Sequence, residues 1–390
     1  MSFHKPYINK LNKLFAIFVA LSGLCLHGYG QAIGDYQTIA SGNWNAATNW
    51  QRCVTAGTWA GATSTTYPGQ NAGTGTVTIR NGHNVTLNVS PANSIGNLII
   101  GGGTSGSLII GNNATSRTLS VSGDITVAAG GSVTIQNSTV THQLNIGGNL
   151  TVNGTFDLRL DNNSFCSVTF NGTSQTIGGS GTLEFYNVTN NTGILTLACN
   201  ISIANGNLTV NGGTFDLSTY TSNRTAAGGT LTIAAGATLR IAGTNALPAN
   251  YSYALNNTSI VEYYGTDQTV TATTYGNLTL SGSGTKTIQG NISVDGTLTL
   301  TAGTLTIGAN TLTLSDGSNL SYGTGTLTGG VTSNLTVGTG TATTLNAISG
   351  GINNFNINRN VTLGADLTVG GTLALNTGAL TIGANTLTLS

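Results

Sequence analysis

Residues 305–315 read LTIGANTLTLS, and residues 380–390 read LTIGANTLTLS again, letter for letter. The likeness extends backwards, because 291–300 is NISVDGTLTL and 366–375 is DLTVGGTLAL at the same offset of 75 residues. A fixed period is the mark of a repeat architecture. Within each copy Leu or Ile alternates with Thr for a few residues and then stops at Gly, Asn or Asp. Alternation of period two gives one apolar and one polar face, which is a short β-strand. The stops tolerate positive φ and form tight turns. An antiparallel sandwich shares this strand spacing, yet it does not call for one strand to be repeated verbatim. Identical strands stacked in register do, so the expected fold is all-β: a right-handed parallel β-helix (β-solenoid) with an N-terminal cap. Its core ladders are expected to include Leu298, Leu300, Leu305, Ile307, Leu312 and Leu314.

The same rhythm can be followed from Thr76 onward. Expected strands are 76–80, 84–89, 97–100, 107–110, 118–121, 125–127, 132–135, 143–146, 150–152 and 155–160. At roughly 20 to 25 residues per coil, the repeat region makes roughly 12 to 15 coils spaced about 4.8 Å apart. Only 6% of the 390 residues are charged, while Gly contributes 57. Helix formers are scarce, and Gly, Thr, Asn and Val dominate. Collagen is excluded, because Gly does not fall at every third position and Pro occurs only 4 times.

The N-terminus differs. Lys5, Lys10 and Lys13 precede an apolar run from Leu14 to Leu26, and Gly28 and Gly30 follow. This is the layout of a secretory signal over residues 1–30, so a secreted or outer-surface location is expected. Beyond it no apolar run approaches the ~20 residues of a spanning helix. Past residue 30 acidic residues outnumber basic ones, and no basic patch marks nucleic-acid binding. Cys53, Cys166 and Cys199 remain, an odd number. Cys166 and Cys199 could meet on neighbouring coils, or could be small buried thiols.

Residues 31–90 read as a tryptophan-containing cap with the first strands, and 91–390 as β-helix repeats. Trp44, Trp50 and Trp59 all fall in the first of these. The segment SGNWNAATNW (41–50), followed by TYPGQNAGTGTVTIRNGHNVTLN (66–88), resembles the tryptophan-rich opening of secreted β-helix proteins. A first coil exposes strand edges that a cap must cover. A larger module recurs as FNGTSQTI (170–177) leading to YNVT (186–189), and as YGTDQTV (264–270) leading to YGNLT (275–279). The chain from about residue 90 resembles the secreted β-strand repeat proteins of Gram-negative bacteria, which are often large and adhesin-like. That resemblance implies type IX-like secretion and a cell-surface role. It does not specify a ligand. Residues 244–264, with Pro248 and Tyr251, Tyr253, Tyr263 and Tyr264, depart from the rhythm and read as an excursion from the coil.

Catalytic chemistry has a weak footing. β-Helix enzymes need clustered carboxylates, or a base beside Arg or Lys. Here the acids are dispersed, and Asp157 and Asp216 share one place in a repeated TFDL (155–158, 214–217), which reads as structural. Only His83 and His142 follow the leader, with no zinc spacing. The calcium-binding glycine–aspartate nonapeptide is absent. Thr-Leu-Thr units at 230, 297, 311, 326 and 386 are too irregular to form one flat ice-binding array. The reading is therefore a non-enzymatic structural or adhesin-like surface protein, without cofactor or metal, whose partner is an extracellular polysaccharide or surface matrix. The alternative is the β-helix part of a larger polysaccharide-active or carbohydrate-binding protein. The candidate ligand contacts are Trp44, Trp50, Trp59, Tyr251 and Tyr253. The second repeat copy stops at Ser390, where the first runs on into Asp316-Gly317-Ser318, so further repeats and a C-terminal sorting domain are expected to follow.

Overall fold

The computed structural model describes residues 31–60, 63–136 and 139–390; the signal reading of 1–30 lies outside them. The described residues contain no α-helix and wind into a parallel β-solenoid of about 14 turns. Each regular turn lays down three short strands. Ile125–Val127, Ser132–Ile135 and Thr141–Ile146 make one turn, and Leu150–Val152 then returns to pair with Ile125–Val127. The three positions build three faces. Face one is a 15-stranded sheet reaching from the N-terminal hairpins to Asn319–Tyr322, followed by a 3-stranded sheet. Face two comprises 7-, 5- and 2-stranded sheets, and face three comprises 7- and 6-stranded sheets.

Period-two alternation decides which side chains turn inward. On face one Val77, Leu98, Ile125, Leu150, Ile177 and Leu197 stand over one another. All are essentially inaccessible, as are Leu298, Leu300, Leu305, Ile307, Leu312 and Leu314. Full burial of each such side chain contributes about 1.5–3 kcal/mol. Strands 107–110, 118–121, 125–127, 132–135 and 150–152 fall where the sequence places them.

The identical segments do not stack on each other. In the first LTIGANTLTLS copy the strands Thr304–Thr306 and Thr311–Leu314 lie on faces two and three. In the second copy Leu380–Thr381 and Leu387–Leu389 lie on faces one and two. The offset is therefore not a whole number of turns. From Val77 onward, rungs of face one are as few as 17 residues apart (Val261 to Leu278) and as many as 27 (Leu98 to Ile125), so phase drifts along the rod.

Residues 244–264 also correct an expectation. They are not an excursion. Ser252–Leu255 pairs with Thr230–Ile233, and Ile260–Tyr263 pairs with Thr238–Ile241, so these strands keep their rungs, while 242–251 crosses the face-two position without a strand. Tyr263 points into the core, and its hydroxyl meets that of Tyr275 at 3.2 Å. At the N-terminus Tyr36–Thr38, Trp50–Thr55 and Thr58–Trp59 form antiparallel pairs at the end of face one.

A side-chain ladder fastens turn to turn. The Asn or Asp just before a strand accepts the backbone N–H at the equivalent place one turn later. Asn97 Oδ1 accepts from Asp124 N (2.8 Å), Asp124 Oδ1 from Asn149 N (2.7 Å) and Asn149 Oδ1 from Thr176 N (2.9 Å). Asn187, Asn207, Asn277, Asn291 and Asp366 do the same, and Asp316 makes the equivalent bond to Thr339 N from the turn that follows Thr311–Leu314. These positions were legible only as turn residues; the signal for their second role is their fixed place ahead of a strand.

Candidate functional site

The TFDL motifs place Asp157 and Asp216 last in their strands. Each carboxylate accepts a backbone N–H two residues on, from Arg159 (3.1 Å) and Ser218 (2.8 Å), which is the structural role read from the repetition. Asp216 does more. Stacking sets Asp216, Arg240 and Glu262 opposite one another on three successive rungs of face one. Arg240 donates from a terminal guanidinium nitrogen to Asp216 Oδ2 and from Nε to Glu262 Oε2, both at 2.8 Å. Tyr264 covers the guanidinium, 4.3 Å from it, and donates its hydroxyl to Asp216 Oδ1 at 2.6 Å. Burial, and then the bond and charge of Asp216, push the Tyr264 phenol up to about 12. Ser281 donates to Glu262 Oε1. Two acids 46 positions apart in sequence thus share one cation, but the carboxylate oxygens are committed to these partners. The cluster fastens three rungs together and offers no unengaged acid–base pair.

The candidate ligand contacts separate sharply. Trp44 and Trp50 are fully buried and pack edge-on at 5.1 Å. Their indole N–H groups donate to Pro68 O and Trp44 O. Neither presents surface to a ligand; Trp59 alone of the three is partly exposed. Tyr251 is buried, donates to Ser222 O and lies against Arg224. Tyr253 is half-buried, and its hydroxyl is held by Pro248 O at 3.1 Å. Cys166 is enclosed in the core of face three, where burial pushes its thiol up. Cys199 lies beyond the face-one strand Ile194–Leu197, and all three described cysteines are free. His83 is part-buried and shares a 2.7 Å hydrogen bond with Thr38. His142 is buried and accepts from Arg117 N, and burial and then Arg117 lower its pKa. Among the described residues no group of three His, Cys, Asp or Glu is placed to hold a metal ion. No helix among them is long and apolar enough to cross a membrane.

Tyr253 belongs to another feature the sequence did not signal. Face three changes sheets between Ser252–Leu255 and Thr274–Tyr275, which are neighbours one turn apart yet unpaired. A cleft of about 530 Å³ opens there, lined by Thr232, Tyr253, Leu255, Asn256, Thr273 and Thr274 among others, and no charged residue lines it. Tyr253 and Leu255 continue the inward ladder of Leu231 and Ile233, but the break leaves them half-exposed. Ser252 N and Asn256 N bond back to the preceding rung, so the alternate residues Tyr253 and Leu255 direct their backbone groups into the cleft. Thr273 O and Tyr275 O bond forward, which leaves Thr274 directed back into it. No protein-family model, curated protein or solved structure matches this chain.

Proposed function

We propose that the chain is a secreted or cell-surface structural repeat protein, adhesin-like, that binds through an extended face of the solenoid. The observation that carries this reading is the outward row of face three. Ser120, Asn145, Thr169, Thr189, Thr209 and Thr232 stand on successive rungs in register. Rungs about 4.8 Å apart repeat the same hydroxyl and amide chemistry along the rod. Such a surface suits a partner that is itself extended and periodic, an extracellular polysaccharide or surface matrix, where many weak contacts add up. The leader-like residues 1–30 support export, and the resemblance to β-strand repeat proteins supports a surface role. No cofactor or metal enters this reading.

The alternative is a β-helix part of a polysaccharide-active or carbohydrate-binding protein, favoured by the aromatic wall that Tyr253 gives the cleft. One experiment separates the two. The purified chain is incubated with immobilised insoluble polysaccharides, and retained protein and released reducing ends are both measured. Retention without release is the expected result. Sustained release of reducing ends refutes the non-enzymatic reading.

A further inference from the structure

We propose that the cleft between Ser252–Leu255 and Thr274–Tyr275 is a binding site for a neutral oligosaccharide; the proposal deepens the reading of this chain as an extracellular binding protein. Its lining selects the class of ligand. No charged residue lines the cleft, so an ionised ligand would shed water without gaining an ion pair. What the cleft does offer is both halves of the hydrogen bond. Tyr253, Leu255 and Thr274 turn backbone N–H and C=O groups into it, and among the described residues no backbone hydrogen bond joins its two walls. The hydroxyls of Thr232, Thr273 and Thr274 add groups that donate and accept, and Asn256, whose Oδ1 is held by Thr258, adds the donors of its Nδ2. Sugar hydroxyls also do both.

The apolar share of the lining fits the other side of a pyranose ring. Tyr253 and Leu255 are inward-facing residues that the break leaves half-exposed. Because Pro248 O holds the Tyr253 hydroxyl, the ring is fixed as a wall against which the C–H face of a sugar can lie. At about 530 Å³ the cleft falls within the range of roughly 300–1,000 Å³ usual for small-molecule sites. An extended peptide would engage the same backbone edges, but it needs a slot open at both ends. This cleft is blind at one end: a Cβ on Gly276 would lie 2.1 Å from Asn256 O, so the two walls meet there backbone to backbone. That closure admits the end of an oligosaccharide chain, a few sugar rings deep, but not a strand running through.

The test uses the purified chain and isothermal titration with four neutral hexasaccharides, the β-1,4-linked oligomers of glucose, mannose, xylose and N-acetylglucosamine, with hexagalacturonate as the anionic comparison. At least one neutral oligomer is expected to bind, at least tenfold more tightly than hexagalacturonate. Ala254→Arg and Thr274→Arg place a long side chain at the cleft from exposed positions, and each is expected to weaken binding at least tenfold with the thermal transition unchanged. Binding that neither variant alters puts the sugar elsewhere and overturns the proposal. So does preferential binding of hexagalacturonate, or of a Thr-Leu alternating peptide that the variants block. If no hexasaccharide binds while the chain is still retained on immobilised polysaccharide, the cleft proposal fails and the broader reading stands; if neither occurs, both fail.

Discussion

Removing one rung of the Asn/Asp ladder should loosen the solenoid locally, and Asn277 is the place to measure it. Its Oδ1 accepts from Thr297 N at 2.8 Å, and its Nδ2 donates to Ser259 O at 3.1 Å, so one side chain spans three turns. In Asn277→Ala, Ser259 O keeps the bond it already accepts from the Asn277 backbone N–H at 2.7 Å. Thr297 N–H is left with no partner in a half-buried setting. A lost hydrogen bond costs about 0.5–1.5 kcal/mol and a stranded buried donor about 1–3 kcal/mol, so a local cost of about 2 kcal/mol follows. Repeat arrays do not unfold in one step, so a melting curve would dilute this effect. Native-state hydrogen exchange reads it directly. At roughly 1.4 kcal/mol per tenfold, the Thr297 amide should exchange about 30-fold faster, with the strand Thr118–Val121 unchanged. Asn277→Asp retains the acceptor and should exchange more slowly than the alanine variant. Wild-type protection at Thr297 in Asn277→Ala would falsify the claim that the ladder fastens the turns.

Gly276→Ala forces a Cβ to 2.1 Å from Asn256 O, where backbone meets backbone and neither can yield cheaply; a loss of about 3 kcal/mol is expected. Gly317, with open space around its Cβ position and φ +76, is the comparison: Gly317→Ala should cost only about 1 kcal/mol, for the left-handed backbone alone. Equal effects in urea titration would mean that the contact at Gly276 is not tight. Arg240→Ala leaves Asp216 and Glu262 without their shared cation and should cost about 1–2 kcal/mol, discounted because the guanidinium is about a third exposed. Adding Glu262→Gln should recover part of that loss, and no recovery would show that packing against Tyr264 is what matters. The Thr339 N–H and hydroxyl, and then the charge of Arg359, hold the Asp316 carboxyl below its ordinary value. Its folded pKa is depressed, so its contribution is complete above the ordinary carboxylate pKa and is lost as pH falls through the lower folded one. In an NMR titration the Thr339 amide should therefore shift at a pH below that of an unstructured Asp.

The alternation of Leu and Thr was enough to determine short strands and the inward set; that the strands are parallel was argued from the verbatim repeat, whose two copies lie on different faces. Any strand with one buried face must turn its apolar residues inward, so Leu298, Leu305 and Leu312 were assignable without coordinates. The repeated TFDL was enough to mark Asp157 and Asp216 as turn-makers, because a role satisfied two residues away is a local one. The repeated module behaves in the same way. Gln175 and Gln268 close their turns alike, accepting from Gly172 N and Gly265 N at 2.7 Å, and Gln175 Nε2 and Gln268 Nε2 bond to the preceding turn at Ile146 O and Ile241 O. Yet Ser174–Gly178 lies on face one and Gln268–Val270 on face two. Local sequence specifies strand, turn and inward side, and all three faces provide that environment equally well. Which face a segment joins depends on the number of residues consumed by every corner before it, a cumulative quantity that no single motif encodes. For the same reason only the tertiary structure could bring Asp216, Arg240 and Glu262 onto adjacent rungs and part the walls between Tyr253 and Thr274.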